Sequence, residues 1–243
     1  MTLQKQVKER LMNEYKYRIE MHAHTSPVSP CSEISPEEMA KTYSELGYDA
    51  IVISNHFIHY LVEGYSKKEA IDRYLKDYED TCAAAEKLGL HVLLAAEVRF
   101  DENHNDYLIY GVDREILEKV YDYFTKGLRA FREEVKLDKS VFLQAHPFRN
   151  GMELVDASML DGIETFNVHP GHNSRVGQAV KYAYDNKFEI KIAGTDYHHP
   201  NMGHEGLAAV RTKILPKDSF ELAKILKDGD YIIEIGADAI VLP

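Results

Sequence analysis

Residues 17–24 read YRIEMHAH, a stretch that fits a strand and ends on two histidines one residue apart. Residues two apart on a strand point to the same side of the sheet, so His22 and His24 present both imidazoles to one face, where they can grip one ion. Alone, such a pair is more often surface decoration. Five further runs repeat the arrangement: DAIVIS (49–54) is followed by His56, HVLLAAEVRF (91–100) carries Glu97 late, SVFLQAH (140–146) ends on His146, GIETFNV (162–168) contains Glu164, and EIKIAGT (189–195) is followed by Asp196 and His198. DYLIYGV (106–112), AAVRTKIL (208–215) and YIIEIGA (231–237) complete the candidate strands.

Helices are expected between them. Ser35-Pro36-Glu37-Glu38 is a capping box with proline in the first turn, and its helix runs to Gly47. Ser66 with Glu69 opens a second helix that ends near Gly89; others are expected over 113–136, over 174–186 and from Lys217. Alternating strands and helices predict an α/β fold with a parallel sheet. An open doubly wound sheet and a closed barrel both satisfy that alternation, and the polar residues decide between them. In a barrel the C-terminal strand ends converge on one mouth, whereas six ends of an open sheet would spread too far to share a site. The 243 residues suit one such barrel, which commonly needs ~250, so residues 1–243 are expected to form a single domain.

Composition narrows the function. The net charge is −11, from 40 acidic and 29 basic residues, which argues against a polynucleotide partner. No apolar run approaches the ~20 residues of a membrane span, and the charged N-terminal stretch lacks the apolar centre of a signal peptide. Two cysteines, Cys31 and Cys82, cannot build a disulfide framework, and a cytoplasmic protein is expected. There is no GxSxG, no GxxxxGK[ST], and no GxGxxG after a strand. Twelve histidines, several in short clusters, are the unusual feature. A carboxylate at Glu97, inside HVLLAAEV, needs an ion or a charged partner to offset its burial.

The ordered segments His22-Ala23-His24-Thr25-Ser26, Ser54-Asn55-His56-Phe57, Ala96-Glu97-Val98, Ala145-His146-Pro147-Phe148-Arg149, Gly162-Ile163-Glu164-Thr165-Phe166-Asn167 and Gly194-Thr195-Asp196-Tyr197-His198 resemble the PHP (polymerase and histidinol phosphatase) superfamily over about residues 17–215. The resemblance implies a distorted seven-stranded (β/α) barrel, TIM-like, with two or three divalent ions that hydrolyse phosphate esters through a metal-activated hydroxide. It implies that His22, His24, Glu97 and Asp196 hold one ion, that Glu97 bridges to a second also bound by His146, and that His56 and His198 face a third. The sequence departs from the pattern in two places. In the loop 26–33 only Cys31 or Glu33 could serve as a ligand, and before DYLIYGV the matching position is Asn105 or Asp106, with His104 just upstream.

A small phosphomonoester is the expected substrate, with zinc, manganese or iron as the ion, since His, Asp and Glu suit all three. Arg149 is expected to clamp the phosphate, Arg175 to add charge at the mouth, and His198 to protonate the leaving oxygen if it does not bind metal. His169, His172, His199 and His204 are expected on the rim, with one or two of them touching substrate. The alternatives are a nuclease or nucleotide phosphodiesterase of the same family, or a metal-binding regulatory module without strong catalysis.

Overall fold

The computed structural model describes residues 2–236 and 239–243; the last residue of the expected strand 231–237, Ala237, lies outside them. The strands are β1 (Tyr17–Ala23), β2 (Ala50–Ile53), β3 (His56–Ile58), β4 (His91–Arg99), β5 (Tyr107–Tyr110), β6 (Val141–Gln144), β7 (Gly162–Asn167), β8 (Ile190–Gly194), β9 (Ala208–Thr212), β10 (Tyr231–Ile235) and β11 (Ala239–Val241). They form one curled sheet in the order β11-β10-β9-β1-β2-β4-β5-β6-β7-β8, with β3 added to β4. The outer strand β8 returns to the first at a parallel bridge between Ala23 and Tyr197, where the His24 N–H donates to the Tyr197 carbonyl at 3.1 Å. Seven strands (β1, β2, β4, β5, β6, β7 and β8) thus make a distorted barrel, as the sequence predicts.

The sheet is mixed, not parallel. β5 is antiparallel to β4 and to β6, and β9 is antiparallel to β1. The links entering β5 (residues 100–106) and β9 (195–207) contain no helix, and a parallel return needs a longer crossover. The expected helix over 113–136 is two: α5 (Arg114–Tyr123) and α6 (Gly127–Glu134). Gly127 has φ +87°, and a Cβ there would meet the Glu102 carboxylate, which accepts from Leu128 N at 3.1 Å and so caps α6.

The capping boxes form as the sequence predicts, at the starts of α2 (Pro36–Glu45) and α4 (Lys67–Glu86); between them comes the short α3 (His59–Val62). α1 (Leu3–Glu14) buries no residue, and α7 (Val176–Asp185) covers β7. The last helix, α8 (Ser219–Asp228), begins beside Gly111, whose N–H donates to Ser219 Oγ at 2.7 Å. Gly111 follows the reversed strand β5, so α8 sits at the end of the barrel opposite the C-terminal ends of the parallel strands. There Leu222, Ala223 and Leu226 share one core with Ile19, Val52, Leu93, Leu108 and Val141. No helix among the described residues is long and apolar enough to cross a membrane.

Candidate metal centre

The opposite end of the barrel is polar. β1 brings His22 and, just past its end, His24; β3 starts on His56, β4 brings Glu97, and His146 and Asp196 lie two residues beyond the ends of β6 and β8. All are buried except His56, which is partly so. His56 pairs in register with Glu97, which explains how the second strand's continuation reaches the site. His146 (φ +28°) and Asp196 (φ +53°) adopt left-handed backbone, which turns the chain inward at the strand exit and carries a strain cost of ~1–3 kcal/mol each. Gly194 is required by crowding, because a Cβ there would lie 2.4 Å from the His22 Cβ.

The separations distinguish an ion site from ordinary ion pairs. His22 Nε2 lies 3.4 Å from Glu97 Oε1 and 3.4 Å from Asp196 Oδ1; His24 Nε2 lies 3.4 Å from Glu97 Oε2 and 3.3 Å from Asp196 Oδ1. Charge-assisted hydrogen bonds close to ~2.7–2.9 Å. Atoms at the corners of a tetrahedron with bonds of ~2.0–2.1 Å stand roughly 3.3–3.4 Å apart. His22 Nε2, His24 Nε2, His56 Nδ1, Glu97 Oε2 and His146 Nδ1 are buried without a hydrogen-bond partner among the described residues. His56 Nδ1 does approach Glu97 Oε2 to 2.8 Å, but without hydrogen-bond alignment. The groups His22–His24–Asp196, His24–His56–His198 and His56–Glu97–Asp106 each keep their donor atoms within 4.8 Å of one another. These residues therefore fit divalent ions.

The ring tautomers agree. His22 Nδ1 faces Glu164 Oε1 at 2.9 Å and can donate to it; burial opposes charge on His22, yet Glu164, Asp196 and Glu97 raise its imidazole well above the usual range, so an ion at Nε2 would take the place of a proton there. Glu164 also accepts from His146 N at 2.9 Å and Asn167 Nδ2 at 3.1 Å, so it orients two ligand candidates from behind. His24 Nδ1 reaches Ser29 Oγ at 3.4 Å, and His198 Nδ1 donates to the Asp196 carbonyl at 2.7 Å. Burial, then the neighbouring His198 and His56, hold His24 well below the usual imidazole range, in its ligating neutral form. Burial opposes charge on Glu97 and Asp196, yet His56 and His22 beside the first, and His22 and Arg149 beside the second, keep both carboxyls well below their usual range.

Beneath this layer lie groups the sequence reading did not single out. Glu20 is buried and accepts from His22 N and Thr195 N, both at 2.9 Å, tying β1 to β8; burial pushes its carboxyl up to about 7. Asp77 on α4 is buried and accepts from Thr25 Oγ1 and from Asn55 Nδ2, which fixes the turns after His24 and before His56. A periodicity reading could have found Asp77 only as a polar residue on the buried face of α4.

A cavity of about 350 Å³ opens over the cluster, lined by Cys31, His56, Glu97, Arg99, Asp106, His146, Arg149, Asn150, Met152, His169, His172, Asp196, His198 and His199. Arg149 Nη2 donates to Asn167 Oδ1 at 3.0 Å and pairs with Asp196. Asp106, not Asn105, reaches the cluster, 3.9 Å from His146 Nε2; Asn105 turns to Glu153. Arg99 is bidentate to Asp106 at 2.8 and 2.9 Å. Arg175 does not line the cavity. It is the N-cap residue of α7 and donates to Phe148 O and Asn150 Oδ1, both at 2.5 Å. His204 is buried behind His169, their rings 5.2 Å apart. His59 pairs with Asp101 at the surface. A larger depression of about 460 Å³ beside α5 offers Lys136, Lys139 and Asp113 but no histidine.

The sequence profile of the PHP domain family matches residues 20–237. No curated protein matches the chain. Among solved structures, a two-domain protein from Bacteroides vulgatus, described as containing a PHP-like metal-dependent phosphoesterase, superposes with a TM-score of 0.60 at 15% identity, over 90% of this chain and 65% of that one. A protein from Bifidobacterium adolescentis described by assignment as a metal-dependent phosphoesterase aligns at 16% identity over 74% of this chain and 87% of its own, with a TM-score of 0.49. This chain thus spans 65% of the length of the Bacteroides protein, and the likeness to it is one of fold.

Proposed function

The chain belongs to the PHP domain family, and we propose that it is a metal-dependent phosphoesterase that hydrolyses a small phosphomonoester. The observation that carries this reading is the ligand-like spacing of 3.3 and 3.4 Å among His22, His24, Glu97 and Asp196, beneath a cavity that also presents Arg149. Bound divalent ions, whether zinc, manganese or iron, would supply hydroxide near neutral pH and neutralise phosphoryl oxygens. His22, His24 and Asp196 would hold one, with Glu97 shared between it and a second that His146 and Asp106 face.

Arg149 positions the phosphate. One arm of its guanidinium is held by Asn167 and Asp196, and its Nε has no partner among the described residues, so a phosphoryl oxygen adds to a preorganised fork. Arg175 acts at one remove, bracing the loop that carries Arg149. The Nδ1–H of His198 is committed to a backbone carbonyl, which favours a ligand role over proton donation. A cavity of about 350 Å³ suits one small ester, and the net charge of −11 disfavours a polyanionic strand. We take residues 1–243 to work as one catalytic unit, and the free Cys31 and Cys82 fit a reducing cytoplasm.

The test compares metal-loaded wild type with Arg149→Ala on phosphomonoesters and single-stranded oligonucleotides. Loss of this contact should cost roughly 2–4 kcal/mol in kcat/KM, the scale of one preorganised donor, with metal content unchanged. Faster turnover of oligonucleotides would transfer the assignment to a nuclease. No turnover of any substrate by the loaded protein would leave a metal-binding module.

A further inference from the structure

His169 follows β7 and lines the cavity, and its ring is held in one orientation. The Gly171 N–H donates to its Nδ1 at 3.0 Å. A ring nitrogen that accepts a hydrogen bond carries no proton, so the imidazole is neutral with its hydrogen on Nε2. That leaves Nε2–H as the ring's donor, on a side chain that faces the cavity. Only a residue without a side chain lets the 171 amide come this close, because a Cβ there would stand 2.9 Å from the His169 Cε1 and 3.2 Å from its Nδ1. Three more imidazoles pack around the ring, with centroids at 4.8 Å for His172, 5.2 Å for His204 and 5.8 Å for His198.

One amide ties this ring to the arginine of the cavity. Asn167 is buried, and its Oδ1 accepts from Arg149 Nη2 at 3.0 Å, from the His169 backbone N–H at 3.2 Å and from Ser174 Oγ at 3.2 Å. Its Nδ2 donates to Glu164 at 3.1 Å and to Asp196 at 3.3 Å, which settles which end of the amide is the oxygen. A charged fork and a neutral single donor thus hang on one oxygen, side by side.

We propose that His169 is the specificity-determining residue of this site: from Nε2 it donates to an uncharged oxygen on the alcohol of the ester whose phosphate Arg149 holds. The proposal rests on the phosphomonoester reading above and names its substrate class, the phosphate esters of polyols and sugars, in which a hydroxyl lies on the carbon next to the ester. Because Arg149 and His169 share one anchor, the acceptor oxygen has to lie only a few bonds from phosphorus. His169 brings no charge to offset a second anion, which favours a hydroxyl as the acceptor. An alcohol that lacks the hydroxyl leaves the Nε2–H without a partner in a wall that is mostly buried, and is rejected on that account.

The experiment measures kcat/KM of the metal-loaded full chain on glycerol 1-phosphate and on propyl phosphate, which share a carbon skeleton and differ in the hydroxyls. The readout is the preference for the first over the second, so the inherent reactivity of the two esters cancels when proteins are compared. Wild type should prefer glycerol 1-phosphate. His169→Phe, which keeps a ring and loses the donor, should lower that preference about 10-fold, the scale of one neutral hydrogen bond. His169→Gln, whose amide nitrogen reaches the place of Nε2, should restore most of it. Elemental analysis should find the same metal content in all three proteins; metal lost from both variants overturns the specificity role and makes His169 a support of the ion centre. A preference unchanged in His169→Phe, or lowered as far in His169→Gln, overturns the role of the Nε2 donor and leaves the phosphoesterase reading standing. A wild type that hydrolyses phosphomonoesters without this preference overturns the substrate class. No turnover of any phosphomonoester by the loaded wild type overturns both readings.

Discussion

At one end of the barrel, Leu222, Ala223 and Leu226 of α8 fill the space between β1, β2, β4, β5 and β6 with apolar side chains. At the other end the same strands, with β7, β8 and their exits, deliver His22, His24, Glu97, His146, Glu164 and Asp196, all nearly as buried. Both ends bury these side chains, but burial stabilises the first and costs energy at the second. Apolar burial contributes ~25 cal/mol per Å², whereas a buried charge must be matched by opposite charge or an ion. The polar end therefore depends on stability from the apolar end and strand core, and spends part of it on strained residues and unpartnered donor atoms.

Breaking the polar end at its centre should have the largest effect. Glu97→Gln removes the carboxylate shared by His22, His24, His56 and His146; metal should be lost and turnover should fall at least about 10³-fold, ~4 kcal/mol. Its thermal midpoint should stay close to that of chelated wild type, since the apolar end is untouched. Full metal content and turnover in Glu97→Gln would refute the shared role. Breaking the apolar end should do the converse. Leu226→Ala leaves a cavity in the core that also holds Leu93 and Val141 and should cost about 3 kcal/mol in a denaturant titration, while the folded protein keeps its metal. A Leu226→Ala protein of normal stability but low metal content would show that the two ends are not separable. The smallest change sharpens the contrast. Glu164→Gln keeps an acceptor for His22 Nδ1 or for His146 N, but not both, and should weaken metal binding about 10–100-fold, read by competition with a chelator, without measurable change in stability. An unaltered affinity would mean that Glu164 does not orient His22.

Much of this division is written locally. Alternation sets Ile19 and Met21 of β1 in one core with Leu93 and Ala95 of β4, and the same period carries the late Glu97 to the barrel mouth; His22 joins it because the pairing of β1 with β2 shifts register between Glu20 and Ala23, which alternation does not foretell. The barrel was legible because the candidate ligands punctuate strand ends. Strand direction was not legible from alternation: β5 and β9 reverse because of how their helix-free links run in space.

The sequence by itself determined which strands bear the polar ends, the two capping boxes, and the histidine and carboxylate types that a divalent ion needs. Periodicity and capping act within a few residues, so neighbours in the chain are enough to specify them. The tertiary structure alone decided that Asp106 and not Asn105 reaches the cluster, that Cys31 and not Glu33 turns inward, and that Arg175 braces a loop while Arg149 lines the cavity. Each of those residues lies in a loop or at an element's end, where no period dictates direction. What aims them is a partner far along the chain: Glu153 for Asn105, His199 for Glu33, Phe148 for Arg175.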